Sequence, residues 1–364
     1  MNGINQLDNI SPMHGGNLHQ VSVQYKIDID NWIDLSTGLN PNPFPVNYIP
    51  MEVLSNLPYD NPDFIKVAAD YYGPENFIAL NGTQEAIQGL PELLERHPVL
   101  LPEVGYQEHI QGWHLAGSEI SLYPSWDMNE SIHVIDNWLE NNPRGHLVII
   151  NPNNPTGLKF TPEQIHHWAS KRDSGCYVIV DEAFMDLTPQ DSLLCQNFND
   201  NVIVLRSFGK FFGLAGIRLG FAFASQTVLS ALKHRQGLWA VNGPAQYIAK
   251  QAFKDLAWQA QARANIQNLA QQNKVCFSGL LNKLDLIRKS ESGLFSSYWL
   301  PTVQAKELYE FFCERGILLR LIKANTQTAI IRIGLLDMSN TAQLSVVCMA
   351  MDAFEKENML EKEF

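Results

Sequence analysis

The chain has 364 residues, a formal net charge of −12 and 45% hydrophobic residues, so it is long enough for two globular domains and lacks the basic surface that nucleic-acid binding needs. Its five cysteines form no CxxC pair, which argues against a zinc cluster or a disulfide framework and favours a reducing cytoplasm. We find no signal-peptide pattern and no apolar run of roughly 18 residues, and we therefore expect a cytoplasmic protein without membrane contacts.

Residues 1–45 are rich in Asn, Gly and Pro and are predicted to form an irregular N-terminal arm. Over residues 46–245, helical and strand patterns alternate, beginning with the helix "PDFIKVAADYYG", the strand "NFIAL" and the helix "TQEAIQGLPELLE". The segments "LVII", "YVIV" and "VIVL" are apolar at every residue, as is typical of parallel strands buried on both faces. We therefore predict a large α/β domain with a mostly parallel sheet and helices on both faces.

Residues 246–364 follow a different pattern. A long helical stretch precedes the strand "SSYWLP", the helix "AKELYEFFCERG", the strands "ILLRLI" and "AIIRIGLL", and a terminal helix. This order predicts a smaller α+β domain, with the boundary close to the Asn-Gly-Pro at 242–244.

Polar side chains follow four of the predicted strands at the point where each strand ends. They are Asn81-Gly-Thr-Gln84, the Asn151–Gly157 loop "NPNNPTG", Asp181-Glu182, and the segment from Arg206 to Lys210. Ligands of open α/β sheets bind at the carboxyl ends of strands, so these groups are expected to form one site. Gly82, Thr83 and Gln84 open a helix and suit a phosphate group, because free amides and the positive end of the dipole meet there.

The pattern S-x-x-K-x-x-x-x-x-G-x-R from Ser207 to Arg218, preceded by N-N-P-T-G and D-E-A, resembles the fold-type-I pyridoxal-phosphate (PLP) enzymes of the aspartate aminotransferase superfamily. The resemblance implies that Lys210 binds the cofactor aldehyde as a Schiff base and serves as the acid and base at the substrate α-carbon. It also implies that Asp181 pairs with the ring nitrogen and that Asn154 donates to the ring 3-oxygen. The implied phosphate-binding residues are Gly82, Thr83, Gln84, Ser207 and Arg218.

Three further positions match residues of this superfamily. Tyr106 corresponds to the aromatic residue that stacks on the cofactor ring, and Tyr59 to the tyrosine that reaches the phosphate from a partner subunit. Arg332 corresponds to the arginine that binds the substrate carboxylate in a bidentate fork. The resemblance therefore implies a homodimer with shared active sites.

The segment "HGGN" at 14–17, the acid motif D-E-A-F and the lysine segment together are similar to the L-threonine-O-3-phosphate decarboxylases of cobalamin biosynthesis. This similarity implies that the substrate is a small phosphorylated amino acid, with CO2 and (R)-1-aminopropan-2-yl phosphate as products. Candidates for the substrate phosphate are His14, Gly15, Asn17 and Arg320. Where some members of this family read S-A-N-I-N-P, this chain has Gly38 in place of the asparagine, and Phe184 replaces a tyrosine common in related aminotransferases.

Two alternatives stay open at this point. An aminotransferase for histidinol phosphate or a similar amine would use the same residues, since Arg332 serves either reaction. A non-catalytic PLP-binding regulator is disfavoured, because the chain has no spare length for an interaction module. We predict no metal site and expect His109, His114, His166 and His167 to be surface or interface residues.

Overall fold

The structure is a computed structural model, and it describes residues 15–361. The strands are β1 Ile33–Asp34, β2 Phe77–Leu80, β3 Val99–Pro102, β4 Ile120–Tyr123, β5 His146–Ile150, β6 Val178–Asp181, β7 Val202–Ser207, β8 Gly220–Phe223, β9 Arg288–Glu291, β10 Phe295–Pro301, β11 Ile317–Leu318, β12 Arg320–Lys323 and β13 Thr328–Gly334. The helices are α1 Leu18–Tyr25, α2 Met51–Ser55, α3 Pro62–Tyr72, α4 Gln84–Leu93, α5 Glu108–Leu115, α6 Met128–Asn141, α7 Pro162–Ser170, α8 Gln226–Gln236, α9 Gly243–Lys254, α10 Leu256–Leu281, α11 Thr302–Cys313 and α12 Thr341–Glu361.

The central sheet of the described residues has seven strands in the order β2-β8-β7-β6-β5-β3-β4. The pairs from β7 to β4 are parallel, whereas β8 runs antiparallel to both of its neighbours, β7 and β2. The predicted α/β class with a mostly parallel sheet is confirmed.

Helices cover both faces of this sheet because successive strand residues point to opposite sides. In β6, Val178 and Val180 pack toward α3, α6, α7 and α9, while Ile179 packs toward α4, α5 and α8. All three side chains are at most 2% exposed, which is why the strand is apolar at every residue.

A four-stranded antiparallel sheet in the order β12-β13-β10-β9 lies in the C-terminal part of the chain. It shares an apolar core with α11, α12 and the second half of α10. The predicted strand "ILLRLI" is divided at Leu319: β11 pairs in parallel with β1, and β12 joins β13. The predicted domain limits at 45 and 245 stay predictions; the two larger sheets occupy residues 77–223 and 288–334.

Several predicted helix ends are confirmed. Helix α3 ends at Gly73, which has φ 101°. Helix α7 begins with Pro162 after Thr161, whose side chain forms a capping box with Gln164. The long predicted helical stretch is two helices, separated at Asp255, whose carboxylate caps α10.

The described part of the predicted arm is more regular than expected, because it contains α1 and β1. Val21 of α1 packs with Trp32 and Leu318, so the helix lies on the C-terminal part of the chain. Within residues 15–361, no helix is long and apolar enough to cross a membrane.

Candidate functional site

Asp181 lies at the end of β6 and is 3% exposed. Its Oδ1 accepts a hydrogen bond from the backbone N–H of Ala183 at 3.1 Å, and its Oδ2 lies 3.1 Å from Nε2 of His109. The prediction that His109 is a surface or interface residue is wrong: it is 2% exposed and faces this carboxylate from α5. One carboxylate is thus fixed at the carboxyl end of the sheet by two neighbours.

Tyr106 belongs to a chain of side-chain hydrogen bonds at the same edge of the sheet. Its hydroxyl donates to Oε1 of Gln84 at 3.0 Å, and Nε2 of Gln84 donates to Glu108 at 2.6 Å. Burial raises the pKa of Tyr106 to about 12, so this phenol stays neutral at physiological pH. The contact fixes the ring of Tyr106 beside the N-terminus of α4.

Lys210 is half-buried at the loop after β7 and lines a cavity of about 280 Å³. The cavity is lined by Gly15, Thr37, Gly38, Leu39, Gly105, Tyr106, Gln107, Asn154, Pro155, Phe184, Lys210, Ala215, Arg320, Ile322 and Arg332. Burial and the charge of Arg332 lower the pKa of Lys210 to about 8, which increases the share of neutral amine near neutral pH. The cavity therefore holds an amine suited to proton transfer and covalent chemistry.

Two arginines line the same cavity. Arg332, which is 7% exposed, donates to Oδ1 of Asn154 at 2.5 Å and to the backbone oxygen of Ser36. Burial and the charge of Arg320 lower the pKa of Arg332, and burial lowers that of Arg320. Because a guanidinium keeps its proton at neutral pH, these shifts express the cost of burying two cations together. An anionic ligand would offset that cost.

The junction between β2 and α4 approaches Arg218 closely. Gly82 has φ +76°, and a Cβ added there would lie 2.5 Å from Nη2 of Arg218. A Cβ on Gly220 would lie 2.6 Å from the backbone nitrogen of Thr83. Among the described residues, the amides of Thr83 and Gln84 donate to no backbone or side-chain acceptor. Two free amides and a guanidinium thus meet where side chains are excluded, as an anion site requires.

Glu182, the neighbour of Asp181, points away from the cavity. It is fully buried and pairs with Arg206 at 3.2 Å, and Arg206 also binds Asp186. This buried ion-pair network joins the carboxyl ends of β6 and β7, next to Asp181 and Ser207.

The structure brings Gly15, Tyr106, Asn154, Arg320 and Arg332 together with Lys210. Other predicted residues lie elsewhere. Asn17 is exposed and caps α1, accepting from the N–H of Gln20, and Tyr59 is 66% exposed against Trp239. His14 lies outside the described residues. His166 and His114 are half-buried and His167 is exposed.

Two residues at the site were not predicted from the sequence. His109 follows Tyr106 by three positions, which places it in the first turn of α5 and at the same sheet edge as Asp181; that spacing is the available signal. Phe295 packs edge-on against Phe184, with ring centroids 5.2 Å apart, and no motif in the sequence indicated this contact.

Comparisons with known proteins show which family the chain is similar to. The family model "Aminotransferase class I and II" matches residues 50–349. The chain is 36% identical to a threonine-phosphate decarboxylase of Pseudomonas aeruginosa, over 88% of this chain and 92% of that protein, and 34% identical to one from a Sinorhizobium species, over 85% and 89%. A solved structure of histidinol-phosphate aminotransferase from Clostridium acetobutylicum superposes with a TM-score of 0.71 at 21% identity, covering 88% of this chain and 99% of that one.

Proposed function

The chain belongs to the aminotransferase class I and II family, and from that premise we propose that it decarboxylates L-threonine O-3-phosphate to (R)-1-aminopropan-2-yl phosphate with PLP as its cofactor. The reaction would serve cobalamin biosynthesis. The observation that carries the proposal is the single cavity that combines Lys210 with Arg320 and Arg332. An amine of lowered pKa, the buried Arg332 and the half-buried Arg320 suit a substrate that carries both a carboxylate and a phosphate.

The residues present fit PLP. Thr83, Gln84 and Arg218 would hold the cofactor phosphate, because their donors meet where a Cβ at Gly82 or Gly220 has no room. Ser207, at the end of β7, would add its hydroxyl. Lys210 would hold the aldehyde covalently, which removes the cost of a partly buried ammonium.

The remaining cofactor contacts follow from the fixed side chains. Asp181 would face the ring nitrogen, held in place by His109 and the amide of Ala183. Asn154 accepts from Arg332 through Oδ1, so its Nδ2 can donate to the ring oxygen. Tyr106 would stack on the ring. When bound, PLP supplies an electron sink for the electrons of the broken bond.

Within the reaction, the protein binds the substrate, orients it and transfers a proton. Arg332 would hold the carboxylate, and Arg320 with Gly15 would bind the substrate phosphate. The bond to be broken must be held perpendicular to the cofactor ring, so the placement of the carboxylate selects decarboxylation over proton abstraction. After CO2 leaves, Nζ of Lys210 would deliver a proton to Cα.

We also propose that the protein forms a homodimer in which Tyr59 reaches the cofactor phosphate of the partner. Tyr59 is 66% exposed and lies outside the cavity of its own chain. Leu57, which lines the same groove, and Trp239, whose ring contacts Tyr59, are also exposed, and the exposed apolar residues Met51, Leu54 and Leu238 lie close to these positions in the sequence. Such a patch is typical of a surface that another protein covers.

The test is to supply the PLP-loaded protein with L-threonine O-3-phosphate and to quantify CO2, the amine product and the cofactor form. We expect equal amounts of CO2 and 1-aminopropan-2-yl phosphate, with the cofactor unchanged. Conversion of the cofactor to pyridoxamine phosphate, together with a 2-oxoacid, would instead establish an aminotransferase. The relatives include histidinol-phosphate aminotransferases at 27% identity, so that amine is the second substrate to assay.

A further inference from the structure

We propose that Gly38, Phe184 and Phe295 form one specificity-determining unit, in which an aromatic wall of Phe184 and Phe295 positions Arg332 for the substrate carboxylate and requires glycine at position 38. The inference rests on the proposed function, because it concerns the carboxylate-binding part of the same cavity. Two of its residues, Gly38 and Phe184, are positions at which the chain departs from related sequences.

Glycine is required at position 38 because a side chain has no room there, and not because the backbone adopts a conformation that only glycine allows. A Cβ added to it would lie 2.9 Å from Cδ1 of Phe295 and 3.1 Å from Cε1 of Phe184. Its φ is not among the positive values of this chain, so any residue could adopt the backbone. The rings of the aromatic wall therefore occupy the volume that an asparagine at position 38 would need.

The backbone around Gly38 cannot move away from these rings, because it is held on both sides. On one side, Leu35 accepts from the N–H of Gly334 at 2.7 Å, and Ser36 accepts from Arg332. On the other side, the N–H of Asn40 donates to the backbone oxygen of Lys210 at 3.1 Å. A side chain at position 38 would have to displace the rings.

The aromatic wall contacts both functional cations of the cavity. The guanidinium of Arg332 lies 5.2 Å from the ring centroid of Phe295, and Nζ of Lys210 lies 5.7 Å from that of Phe184. Both rings are at most 5% exposed, and cation–π contacts are stronger in desolvated places. Phe295 lies behind the cavity surface, so it is a positioning residue that acts through Arg332 and Phe184.

The two departures at Gly38 and Phe184 are thus coupled through Phe295. The wall places an apolar surface where a side chain at position 38 would lie, and through Phe295 it contacts the guanidinium of Arg332. Loss of a ring should therefore weaken binding of the carboxylate more than binding of the phosphate.

A double-mutant cycle with Gly38→Ala and Phe295→Val tests this coupling on the PLP-loaded protein. The ligands are 3-phosphooxybutanoate and 2-butyl phosphate, which lack the amine and differ only in the carboxylate. Calorimetry gives their dissociation constants, and Phe354→Val is the control for loss of a buried aromatic ring far from the cavity.

We expect each single variant to bind 3-phosphooxybutanoate about tenfold more weakly, whereas the dissociation constant of 2-butyl phosphate should change less than about threefold. Once Phe295 is valine, we expect Gly38→Ala to have little further effect on either dissociation constant. Equal weakening of both ligands, or the same effect of Gly38→Ala in both backgrounds, would overturn the inference. Because neither ligand reacts, failure of the wild-type protein to release CO2 would contradict the proposed function and leave this test intact.

Discussion

At the residue scale, Asp181, at the end of β6, and Asp186, farther along the chain, have opposite surroundings. Asp181 is held by His109 and a backbone amide, whereas Asp186 is buried against Arg206 and receives the hydroxyl of Tyr71 at 3.1 Å. The first arrangement leaves a carboxylate beside the cavity, and the second neutralises a buried guanidinium. Only Asp181 is therefore suited to pair with the ring nitrogen of the cofactor.

We therefore expect Asp181→Asn to lower kcat by about 100-fold or more, the range found when a preorganised electrostatic contact is removed. Its free energy of unfolding should change little. The matched variant Asp186→Asn should leave kcat nearly unchanged and lower the free energy of unfolding, because it removes one of the buried carboxylates that pair with Arg206. Turnover numbers and urea unfolding of both variants provide the check, and equal losses of turnover would contradict the assignment.

His146 links stability to pH. Its Nδ1 accepts from the N–H of Tyr177 at 3.1 Å and its Nε2 donates to the backbone oxygen of Glu95 at 2.9 Å, so the neutral ring is fully satisfied. Burial lowers the pKa of His146 from 6.5 to about 4. The unfolded chain therefore takes up a proton at a higher pH than the folded one, and stability falls as the pH drops from about 6.5 to about 4, by about 3 kcal/mol.

His146→Gln keeps one donor and one acceptor but does not titrate. Urea unfolding at pH 7.5 and pH 4 should show a loss of stability on acidification that is smaller in this variant by about 3 kcal/mol. His167→Gln, at an exposed position, is the control and should behave like the wild type. The same loss in all three proteins would refute the role of His146.

Sequence patterns predict single residues well where a motif fixes their neighbours. Lys210, Asn154 and Arg332 were expected in one site, and the structure places them around one cavity. His109 was missed because its partner is 72 positions away, and only the order of strands brings the two together. Phe295 was missed for the same reason, since its contacts with Gly38 and Phe184 cross the two parts of the chain.

At the scale of elements, the junction of β2 and α4 combines a strained turn with a close approach. Gly82 has a left-handed φ and faces Arg218, so a side chain there meets two penalties. Gly237 has nearly the same φ, +73°, but open space around its Cα. Comparing substitutions at these two glycines therefore distinguishes the effect of backbone strain from the effect of filling the space that a ligand would need.

We predict that Gly82→Ala and Gly237→Ala each destabilise the protein by about 1–3 kcal/mol through backbone strain. Only Gly82→Ala should weaken PLP binding, by about tenfold or more, because its Cβ displaces Arg218. Equilibrium binding of PLP to the apo forms measures the difference. Equal affinities in the two variants would show that the junction does not hold the phosphate.

The hydrophobic periodicity of the sequence predicted helices and strands correctly where a strand is covered on both faces or a helix has a clear capping residue. The inner strands β5, β6 and β7 contain apolar runs because both faces of the sheet are covered there, and α3 and α7 end or begin at their capping residues. The division of "ILLRLI" was not predictable from local pattern, because β11 pairs with the distant β1 and β12 with β13. Helix α1 was missed because only one residue of its segment, Val21, is buried.

At the scale of the whole molecule, the apolar patch around Tyr59 is the feature that a monomer does not explain. Leu57 is 60% exposed and Trp239, which adopts φ 59°, is 43% exposed. Bulky residues rarely adopt positive φ unless the surroundings enforce it. In the proposed dimer, a second copy would cover these exposed apolar side chains.

Leu57→Glu should therefore weaken the dimer, since it places a charge in a surface that the partner covers. Sedimentation velocity should show a monomer at concentrations where the wild type is dimeric. Val275→Glu, at a 64% exposed apolar position on α10, is the control and should remain dimeric. A wild type that sediments as a monomer would contradict the proposed shared site.

The central claim is that Lys210 binds PLP covalently, and borohydride reduction followed by peptide mass spectrometry tests it most directly. We predict a yellow protein whose reduced adduct maps to Lys210, and a Lys210→Ala variant that carries no adduct there. A protein that stays colourless with added PLP, or an adduct found on other lysines in equal yield, would contradict the account.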